Sequence, residues 1–369
     1  MNGVLLRSLG DLLTLQRRPV NVVPETLYAE IGIYSFGRGI FHKSPRSGLE
    51  VGDKPLFLIK EDDFILHVTF AWEGAVGLAT SPEDGMYGSV RFPTFRVNEA
   101  LCYPPYLFHY FRSRAGREQL VRISPGSAGR NRVLSLKRIP EVLVPLPNLG
   151  EQRRIVAWIE KLSAKVEEAA RLRRRAVQEA ETLLPSTLRT VFGPTASHSI
   201  ELRTLMELAY GNGLRDSERL PGSIPVYGSN GIVGFHSEAN SAGETIVVGR
   251  KGSWGAVNLS SGSCWVIDTA FKVVPKGDDD VRYLFYLLRS IDKSEIVVRN
   301  TAKPGINRNE YLRIERNYAA SSCAQRRIVA YLDSIQAKVN ALKRLQAETA
   351  AELDAMLPSI LDKAFKGEP

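Results

Sequence analysis

One long segment occurs twice in this chain, and this repeat constrains the fold more than any other feature. The first copy is EQRRIVAWIEKLSAKVEEAARLRRRAVQEAETLLPSTLRTVF (residues 151–192), and the second is AQRRIVAYLDSIQAKVNALKRLQAETAAELDAMLPSILDKAF (residues 324–365). Matched residues such as Gln152 and Gln325 are 173 positions apart throughout, so the copies align without a gap. Self-similarity at a fixed offset indicates a fold that is built from two related halves.

Each copy is predicted to be a long amphipathic helix. Apolar or small residues recur at intervals of three and four, which is the pattern of a coiled-coil seam. The heptad puts Arg173 and Gln346 in the same layer of that seam, where a polar pair can fix the register at some cost in stability. The alternative is a frayed stretch in which Leu172 and Leu345 make the contact. The seam positions are Ile155, Ile159, Leu162, Val166, Ala169, Ala176, Ala180 and Leu183 in the first copy, and Ile328, Leu332, Ile335, Val339, Leu342, Leu353 and Met356 in the second.

The segments that precede the two helices share an order of motifs. LRTL at 202–205 corresponds to LRSL at 6–9, and AFKV at 270–273 corresponds to TFRV at 94–97. The offsets between these motifs vary, so the two segments share a plan and differ in detail. Strands are predicted at 57–59, 64–70, 75–79 and 89–97, and helices are predicted after Pro104-Pro105 and at 283–290.

These patterns predict an α+β fold with two mixed α/β domains separated by two long antiparallel coiled-coil helices, in a pseudo-twofold internal repeat. The helices should be antiparallel because the first leads from the first domain to the second, and the second leaves the second domain. A 42-residue helix spans about 60 Å, or about 50 Å if Pro185 and Pro358 end its straight part. The predicted boundaries are 1–148 for the first domain, 149–195 for the first spacer helix, 196–320 for the second domain and 321–369 for the second spacer helix.

Composition is typical of a soluble globular protein. Of the 369 residues, 44% are hydrophobic, which is ample for ordinary cores. No signal peptide and no membrane-length apolar run is recognised, so the expected compartment is the cytoplasm. The three cysteines lack the spacing of a zinc site or a disulfide framework, and we expect no metal site. A net charge of +9 suits a partner such as nucleic acid.

Several stretches in a fixed order resemble the specificity (S) subunit of type I restriction-modification enzymes, over essentially the whole chain. The resemblance implies a non-catalytic subunit with two target recognition domains, each of which reads one half of a bipartite site in double-stranded DNA. One departure is the second lead-in, YAASSCAQ at 318–325, which lacks the prolines and the acidic residue that would match Glu151. The stretches that carry the resemblance are VPLP at 144–147 running into EQRRI at 151–155, VYGSNGIVG at 226–234, GRKGSWG at 249–255, IDTAF at 267–271 and FAWEGAV at 70–76.

The resemblance also implies partners and cofactors outside this chain. Two modification (methyltransferase) subunits would dock on the spacer helices and use S-adenosylmethionine to methylate adenine at N6. Restriction (translocase-endonuclease) subunits that use ATP and Mg could join them, whereas this chain would bind no cofactor itself. The missing prolines predict a weaker or differently shaped dock on the second copy. The expected docking residues are Gln152, Arg153, Arg154, Gln325, Arg326 and Arg327.

The candidate DNA contacts are mostly polar side chains in glycine-rich loops. Arg and Lys pair with guanine, and Asn and Gln pair with adenine, in the major groove, whereas phosphate contacts need only hydrogen-bond donors. Glycine in such a loop permits close approach of the backbone. The candidates are Arg38, His42, Lys43, Glu73, Ser127, Arg130, Asn131 and Arg132 in the first domain, and Tyr227, Ser229, Asn230, Arg250, Lys251, Ser253, Trp254, Lys303, Asn307 and Arg308 in the second.

Two other functions compete with this interpretation. A self-contained DNA methyltransferase would explain YPPY at 103–106, which is similar to the Asn/Asp-Pro-Pro-Tyr/Phe loop of such enzymes. However, Tyr103 replaces the amide or carboxylate that the chemistry needs, no glycine-rich strand-to-helix turn for S-adenosylmethionine is found, and proline at a helix start explains the motif better. A coiled-coil scaffold that binds only protein would explain the helices, but not two elaborate domains with matched plans.

Overall fold

The computed structural model describes residues 5–126, 132–194, 198–296, 298–299 and 305–366. The chain divides into two compact units. The first unit comprises Met1–Leu172 and Thr349–Pro369, and the second comprises Arg173–Glu348. Each repeated helical segment therefore contributes residues to both units.

The first unit contains many short strands and a few short helices before the first long helix. Its strands are β1 (Leu5–Ser8), β2 (Leu13–Gln16), β3 (Pro19–Val20), β4 (Leu27–Tyr28), β5 (Ile31–Ile33), β6 (Ile40–His42), β7 (Arg46–Ser47), β8 (Leu56–Leu58), β9 (Asp63–Leu66), β10 (Val76–Leu78), β11 (Tyr87–Ser89), β12 (Thr94–Val97) and β13 (Leu143–Leu146). Its helices up to that point are α1 (Leu9–Leu12), α2 (Gly48–Val51), α3 (Pro104–Arg112) and α4 (Arg114–Arg122).

The long helix α5 (Leu149–Phe192) follows, and the second unit repeats the mixture of short strands and helices. Its strands are β14 (Ser199–Glu201), β15 (Met206–Tyr210), β16 (Ile224–Gly228), β17 (Gly231–His236), β18 (Ile246–Gly249), β19 (Val257–Leu259), β20 (Trp265–Val266), β21 (Ala270–Pro275), β22 (Val298–Arg299), β23 (Gly305–Ile306) and β24 (Glu315–Asn317). The remaining helices are α6 (Leu202–Leu205), α7 (Val281–Arg289), α8 (Arg308–Tyr311), α9 (Ser322–Glu348) and α10 (Ala350–Lys366).

Both units contain a four-stranded antiparallel sheet with the same connectivity. In the first unit, β2 pairs with β12, β12 with β9, and β9 with β10. In the second unit, β15 pairs with β21, β21 with β18, and β18 with β19. The paired strands follow the same order along the chain in both sheets. This equivalence, together with the matching pairs β1–β13 and β14–β24, confirms the predicted internal repeat.

The single strand predicted at 89–97 is wrong, because two strands occupy this range. β11 ends at Ser89 and pairs with β8, whereas β12 begins at Thr94 and belongs to the four-stranded sheet. A turn separates them, in which the Phe92 N–H donates to the Ser89 carbonyl at 3.0 Å. Pro93 also lacks the N–H group that an uninterrupted strand would use.

The repeated helices pack against each other inside each unit, and the predicted fold class is confirmed. In the second unit, Arg173 contacts Gln346, and Glu181 pairs with Lys343 at 2.7 Å. Residue numbers therefore fall along α9 as they rise along α5, which makes the pair antiparallel. In the first unit, Ile159 of α5 lies in a buried cluster with residues of α10.

The buried face of each helical repeat leaves the predicted heptad toward its C-terminal end. Leu183 and Met356, both predicted in the seam, are 46% and 47% exposed, whereas the following residue Leu184 is 4% exposed and Leu357 packs into a buried cluster. A helix with 3.6 residues per turn drifts about 20° per heptad from a strict heptad seam. Over four heptads from Ile155, the drift reaches about 80°, which is close to the angle between neighbouring residues. In α5 the buried face therefore moves by one residue; in the second repeat, the helix is already interrupted at Thr349, before Met356.

The prolines do not end the helices. Pro185 lies inside α5 and Pro358 inside α10, both on exposed faces. Water can satisfy the carbonyl group that each proline leaves without its usual partner. The second helical segment breaks instead at Thr349, between α9 and α10. The estimate of 50 Å for a shortened helix therefore does not apply to α5.

Arg173 and Gln346 form the polar layer that the repeat predicts. Nε of Arg173 donates to Oε1 of Gln346, and a terminal guanidinium nitrogen donates to the Gln346 carbonyl oxygen. Leu172 and Leu345 are 51% and 54% exposed, so they do not take over the contact. The polar pair, and not the frayed alternative, occupies this layer.

Candidate nucleic-acid interface

Two glycine-rich turns of the second unit touch through their backbones. Ser229 and Asn230 form the two-residue turn between β16 and β17. The second turn starts at Gly249, where an added Cβ would lie 2.3 Å from the Ser229 carbonyl oxygen and 2.4 Å from the Ser253 carbonyl oxygen. Only glycine fits at such an approach. The sequence-predicted loops at 229–230 and 249–255 therefore meet at one place.

A third predicted segment joins the same surface through backbone hydrogen bonds. The Arg250 N–H donates to the Thr269 carbonyl at 2.9 Å, and the Ile306 N–H donates to the Arg250 carbonyl at 3.0 Å. The next residue, Asn307, caps α8, because its Oδ1 accepts from the Asn309 N–H at 3.2 Å. The Asn307 side chain thus fixes the start of the helix on which Arg308 lies.

Arg250 and Arg308 place their guanidinium groups against one aromatic ring. Their Cζ atoms lie 5.0 Å and 5.5 Å from the centre of the Tyr210 ring, which is 52% exposed. Neither arginine pairs with an acidic side chain of the described residues, and the same holds for the exposed Lys251. Neighbouring cations without a counter-ion repel each other and attract an anion. We call Tyr210, Ser229, Asn230, Arg250, Lys251 and Arg308 the arginine surface.

Other predicted contacts of the second unit lie deeper in the fold. Tyr227 is 7% exposed and packs in a buried cluster with Val247 and Val266, and burial raises its pKa above the ordinary value. Trp254 is half-buried against the main core of this unit and lies under Nζ of Lys293, 5.6 Å from the ring centre. Both rings therefore have a packing role, and their contact with DNA stays a prediction.

The first unit brings some of its predicted residues together around two loops. The Phe36 N–H donates to the Glu73 carbonyl at 2.8 Å, and the Ser35 hydroxyl donates to Oε2 of Glu73 at 2.7 Å. Arg38, at the end of the first loop, lies over Tyr34 at 4.8 Å. Arg132 lies over Trp72, the residue before Glu73, at 5.4 Å. Arg38 and Glu73 therefore belong to one pair of interlocked loops, and Arg132 contacts this pair from a later segment.

His42 and Lys43 are already occupied by acidic partners within the first unit. Nε2 of His42 lies 2.5 Å from Oε1 of Glu83, and Nζ of Lys43 lies 3.7 Å from Oε2 of Glu30. Glu30 is 4% exposed and also pairs with Arg46. A buried carboxylate needs hydrogen-bonding or ionic partners, so these two side chains have a structural role that the sequence prediction did not include. We leave them out of the proposed reading surface.

Four of the predicted DNA contacts fall outside the described ranges 5–126, 132–194, 198–296, 298–299 and 305–366. They are Ser127, Arg130 and Asn131 of the first unit and Lys303 of the second unit.

The glutamine of each helical repeat lies inside the protein, which corrects its assignment as a docking residue. Gln152 is completely buried: Oε1 accepts from the Tyr103 N–H at 2.7 Å, and Nε2 donates to the carbonyls of Leu101 and Pro147. Tyr103 is the residue at the N-terminal cap of α3. The amide thus joins the start of the long helix to the start of the domain helix.

Gln325 makes the equivalent contacts in the second unit. Its Oε1 accepts from the N–H of Asp280, the cap residue of α7, and Nε2 donates to the Ala319 carbonyl at 2.9 Å. The lost prolines of the second lead-in therefore do not remove this junction. Nε2 also donates to Oδ1 of Asp279 at 2.6 Å, and a side chain with three internal hydrogen bonds is not available to a partner.

The arginines that follow these glutamines are exposed. Arg153 lies over Tyr103 at 5.6 Å, and Arg154 pairs with Glu151 at 2.8 Å. Arg326 and Arg327 form no ion pair with any residue in the described part of the chain. The acidic partner is missing at the second copy because Ala324 takes the position that corresponds to Glu151.

Tyr210 is the main site residue that sequence reasoning missed. The only signal in the sequence is its place at the end of a strand, before Gly211-Asn212-Gly213. Nothing in the spacing indicates that two arginines from later segments meet on its ring.

The described residues give no sign of a metal site or a membrane span. No group of three or more His, Cys, Asp or Glu residues among them could hold a metal ion. None of the helices in the described ranges is both long enough and apolar enough to cross a membrane.

Comparison with known proteins identifies the class of this protein. Residues 200–350 match the family described as type I restriction modification DNA specificity domain. The crystal structure of the HsdS subunit from Thermoanaerobacter tengcongensis is similar, with a TM-score of 0.67 and 26% identity over 100% of this chain and 98% of that one. A structure described under complex assembly and conformational transition of the type I R-M system has a TM-score of 0.76 and 26% identity, over 100% of this chain and 99% of that one. No curated protein matches the sequence.

The fold, the repeated helices and these matches agree with each other. Residues 200–350 match the DNA specificity domain of type I restriction-modification systems, and the whole chain is similar in fold to the HsdS subunit structure. The function of this chain is therefore to provide sequence specificity for DNA in such a system.

Proposed function

We propose that each unit reads one half of a bipartite DNA site, and that the second unit reads its half with the arginine surface. The observation that carries this proposal is the pair of guanidinium groups on Tyr210, without an acidic partner among the described residues. Guanidinium groups bind guanine edges and phosphates through their fixed fork of donors. The turns at 229–230 and 249–255 supply further donors and acceptors beside them.

The first unit would read the other half with its interlocked loops. Arg38, Glu73 and Arg132 are the side chains proposed for this role. Arg38 and Arg132 each stack on an aromatic ring, as the two arginines of the second unit do. The two units share a sheet topology but differ in their loops, which supports two different half-sites.

The helical repeats are proposed as docks for two modification subunits. Because the two copies align without a gap, each presents a pair of exposed arginines at the same point of the repeat, namely Arg153 with Arg154 and Arg326 with Arg327. Arg154 has Glu151 as a partner, whereas Arg327 does not, so the second dock carries more positive charge. An acidic surface on the modification subunit fits both docks and would bind the second more strongly at low salt.

The methylation and restriction reactions are assigned to partner subunits. The complex would act in the cytoplasm, where the chromosome lies. The modification subunits would use S-adenosylmethionine to methylate adenine at N6, and restriction subunits that use ATP and Mg could join the complex. This chain would contribute DNA sequence selection and spacing, and would bind none of these cofactors. The family description as a DNA specificity domain supports this division of labour.

Mapping methylated adenines in the host genome, with this gene intact and deleted, tests the proposal. We expect one bipartite motif to lose its methylation when the gene is deleted and to regain it when the gene is restored. An unchanged set of methylated motifs would contradict the proposal. The map also supplies the sequences of both half-sites for the binding experiments below.

A further inference from the structure

Tyr210 sits at a point where three segments of the second unit converge. It is the last residue of β15, and its register partner on β21 is Phe271, which is 1% exposed. The two rings lie 5.1 Å apart at an angle of 53°. One side of the Tyr210 ring is therefore anchored on the core, while half of the residue remains accessible.

Arg250 and Arg308 reach this ring from different parts of the chain. The Cζ atom of Arg250 is 5.0 Å from the Tyr210 ring centre and 5.9 Å from that of Phe271. Nε of Arg250 is buried and has no hydrogen-bond partner among the described residues. Contacts with the two rings thus hold the inner part of this side chain. Arg308 lies 5.5 Å from the Tyr210 ring and donates weakly to the Leu208 carbonyl at 3.5 Å.

The charge repulsion between the guanidinium groups of Arg250 and Arg308 requires another interaction that holds both of them near Tyr210. Two cations on one ring repel each other, and no carboxylate of the described residues compensates them. The negative face of an aromatic ring attracts each of the two cations. The ring also removes rotamer freedom from two long side chains before DNA binds, which lowers the entropy cost of binding.

We propose that Tyr210 is a positioning residue for sequence recognition, because it holds Arg250 and Arg308 as one unit against a guanine of the second half-site. Arginine binds the O6 and N7 atoms of guanine with two hydrogen bonds, which is the commonest specific contact in the major groove. The inference rests on the proposed function of the arginine surface. Tyr210 would act through the two arginines, and positioning them would require its aromatic ring but not its hydroxyl group.

The test compares Tyr210→Phe with Tyr210→Leu in the full-length protein. Each variant is titrated with a duplex that carries the mapped site, with single-base variants at each guanine of the second half-site, and with an unrelated duplex at the same salt concentration. Tyr210→Phe should bind all duplexes within about twofold of the wild type, because it keeps the ring. Tyr210→Leu should bind the specific duplex about 5–30-fold more weakly, which corresponds to about 1–2 kcal/mol. Its affinity for the unrelated duplex should stay nearly the same.

Phe285→Leu serves as the matched control. In the same unit, the Cζ atom of Arg289 lies 5.3 Å from the centre of the Phe285 ring. Phe285 is on α7, which contains no residue of the arginine surface. This variant should leave DNA discrimination unchanged. Equal melting temperatures of the wild type, Tyr210→Phe and Tyr210→Leu show that folding does not explain a loss of binding.

Arg250→Ala and Arg308→Ala separate this inference from the proposed function. If neither arginine variant changes affinity or discrimination, the arginine surface itself is wrong. If both variants lose discrimination at a guanine while Tyr210→Leu does not, the surface stands and the positioning role of Tyr210 is overturned. Equal weakening of Tyr210→Phe and Tyr210→Leu would also overturn it, because the hydroxyl group would then be the contact.

Discussion

Replacing Gln325 with leucine should destabilise the second unit by about 3 kcal/mol. The residue is 1% exposed, and its amide accepts from the Asp280 N–H at 3.0 Å and donates to the Ala319 carbonyl at 2.9 Å and to Oδ1 of Asp279 at 2.6 Å. Leucine removes all three hydrogen bonds. Each lost hydrogen bond leaves a donor or acceptor unpaired and lowers the free energy of unfolding by about 1–3 kcal/mol. The low end applies because the partners are partly exposed and Asp279 keeps a bond from Tyr318.

Gln152→Leu is the matched variant in the first unit, because Gln152 makes three equivalent hydrogen bonds. Hydrogen exchange with mass spectrometry resolves the two sites, since it reports protection segment by segment. Gln325→Leu should speed exchange at the start of α7 and leave α3 unchanged. Gln152→Leu should speed exchange at Tyr103 and leave α7 unchanged. Urea titration gives the corresponding loss of free energy of unfolding.

One combination of results would refute this reasoning. If both variants keep wild-type exchange and stability but no longer bind modification subunits, the glutamines are docking contacts, as the sequence alone suggests. Their burial would then be irrelevant to the stability of the chain.

Three further predictions follow from other parts of the fold. Burial lowers the pKa of His109 to about 3, so below pH 6.5 the unfolded chain binds a proton that the folded chain does not, and acidification from pH 7.5 to 5 should lower the free energy of unfolding by about 2 kcal/mol. Urea titrations of His109→Gln should therefore show a flatter dependence of stability on pH than those of the wild type. Replacing Arg173 and Gln346 together with leucine should raise the melting temperature by about 2–4 °C, since the polar layer trades stability for register; a lower melting temperature would contradict this role. Lys251→Ala should weaken binding to all duplexes alike and reduce the slope of log affinity against log salt by about 1; loss at a single base position would make Lys251 a base contact instead.

The fold class could be predicted from the sequence because it depends on patterns that are local or strictly periodic. The constant offset of 173 between Gln152 and Gln325, with three–four spacing, predicts two equivalent helices. The proline pair at Pro104 predicts the start of α3. The end of the seam could not be predicted from the heptad, since the one-residue shift at Leu183 accumulates over four heptads of a helix with 3.6 residues per turn.

The candidate site could be predicted only in part, because it depends on contacts between distant segments. Glycine-rich turns identify the loops, so Arg250 and Arg308 are found as candidates. The burial of Gln152 depends on Tyr103, which is 49 residues away in the sequence. The role of Tyr210 depends on two arginines that follow it by 40 and 98 positions. No local sequence pattern extends over separations of this length along the chain.

The most direct test of the central claim is a methylation map of cells whose only copy of this gene carries both Arg250→Ala and Arg308→Ala. We expect that adenine methylation persists, that the first half-site keeps its sequence, and that the second half-site becomes degenerate at one or more guanines. An unchanged motif would contradict the claim that the arginine surface reads DNA. Degeneracy in the first half-site alone would contradict the assignment of the second half-site to the second unit.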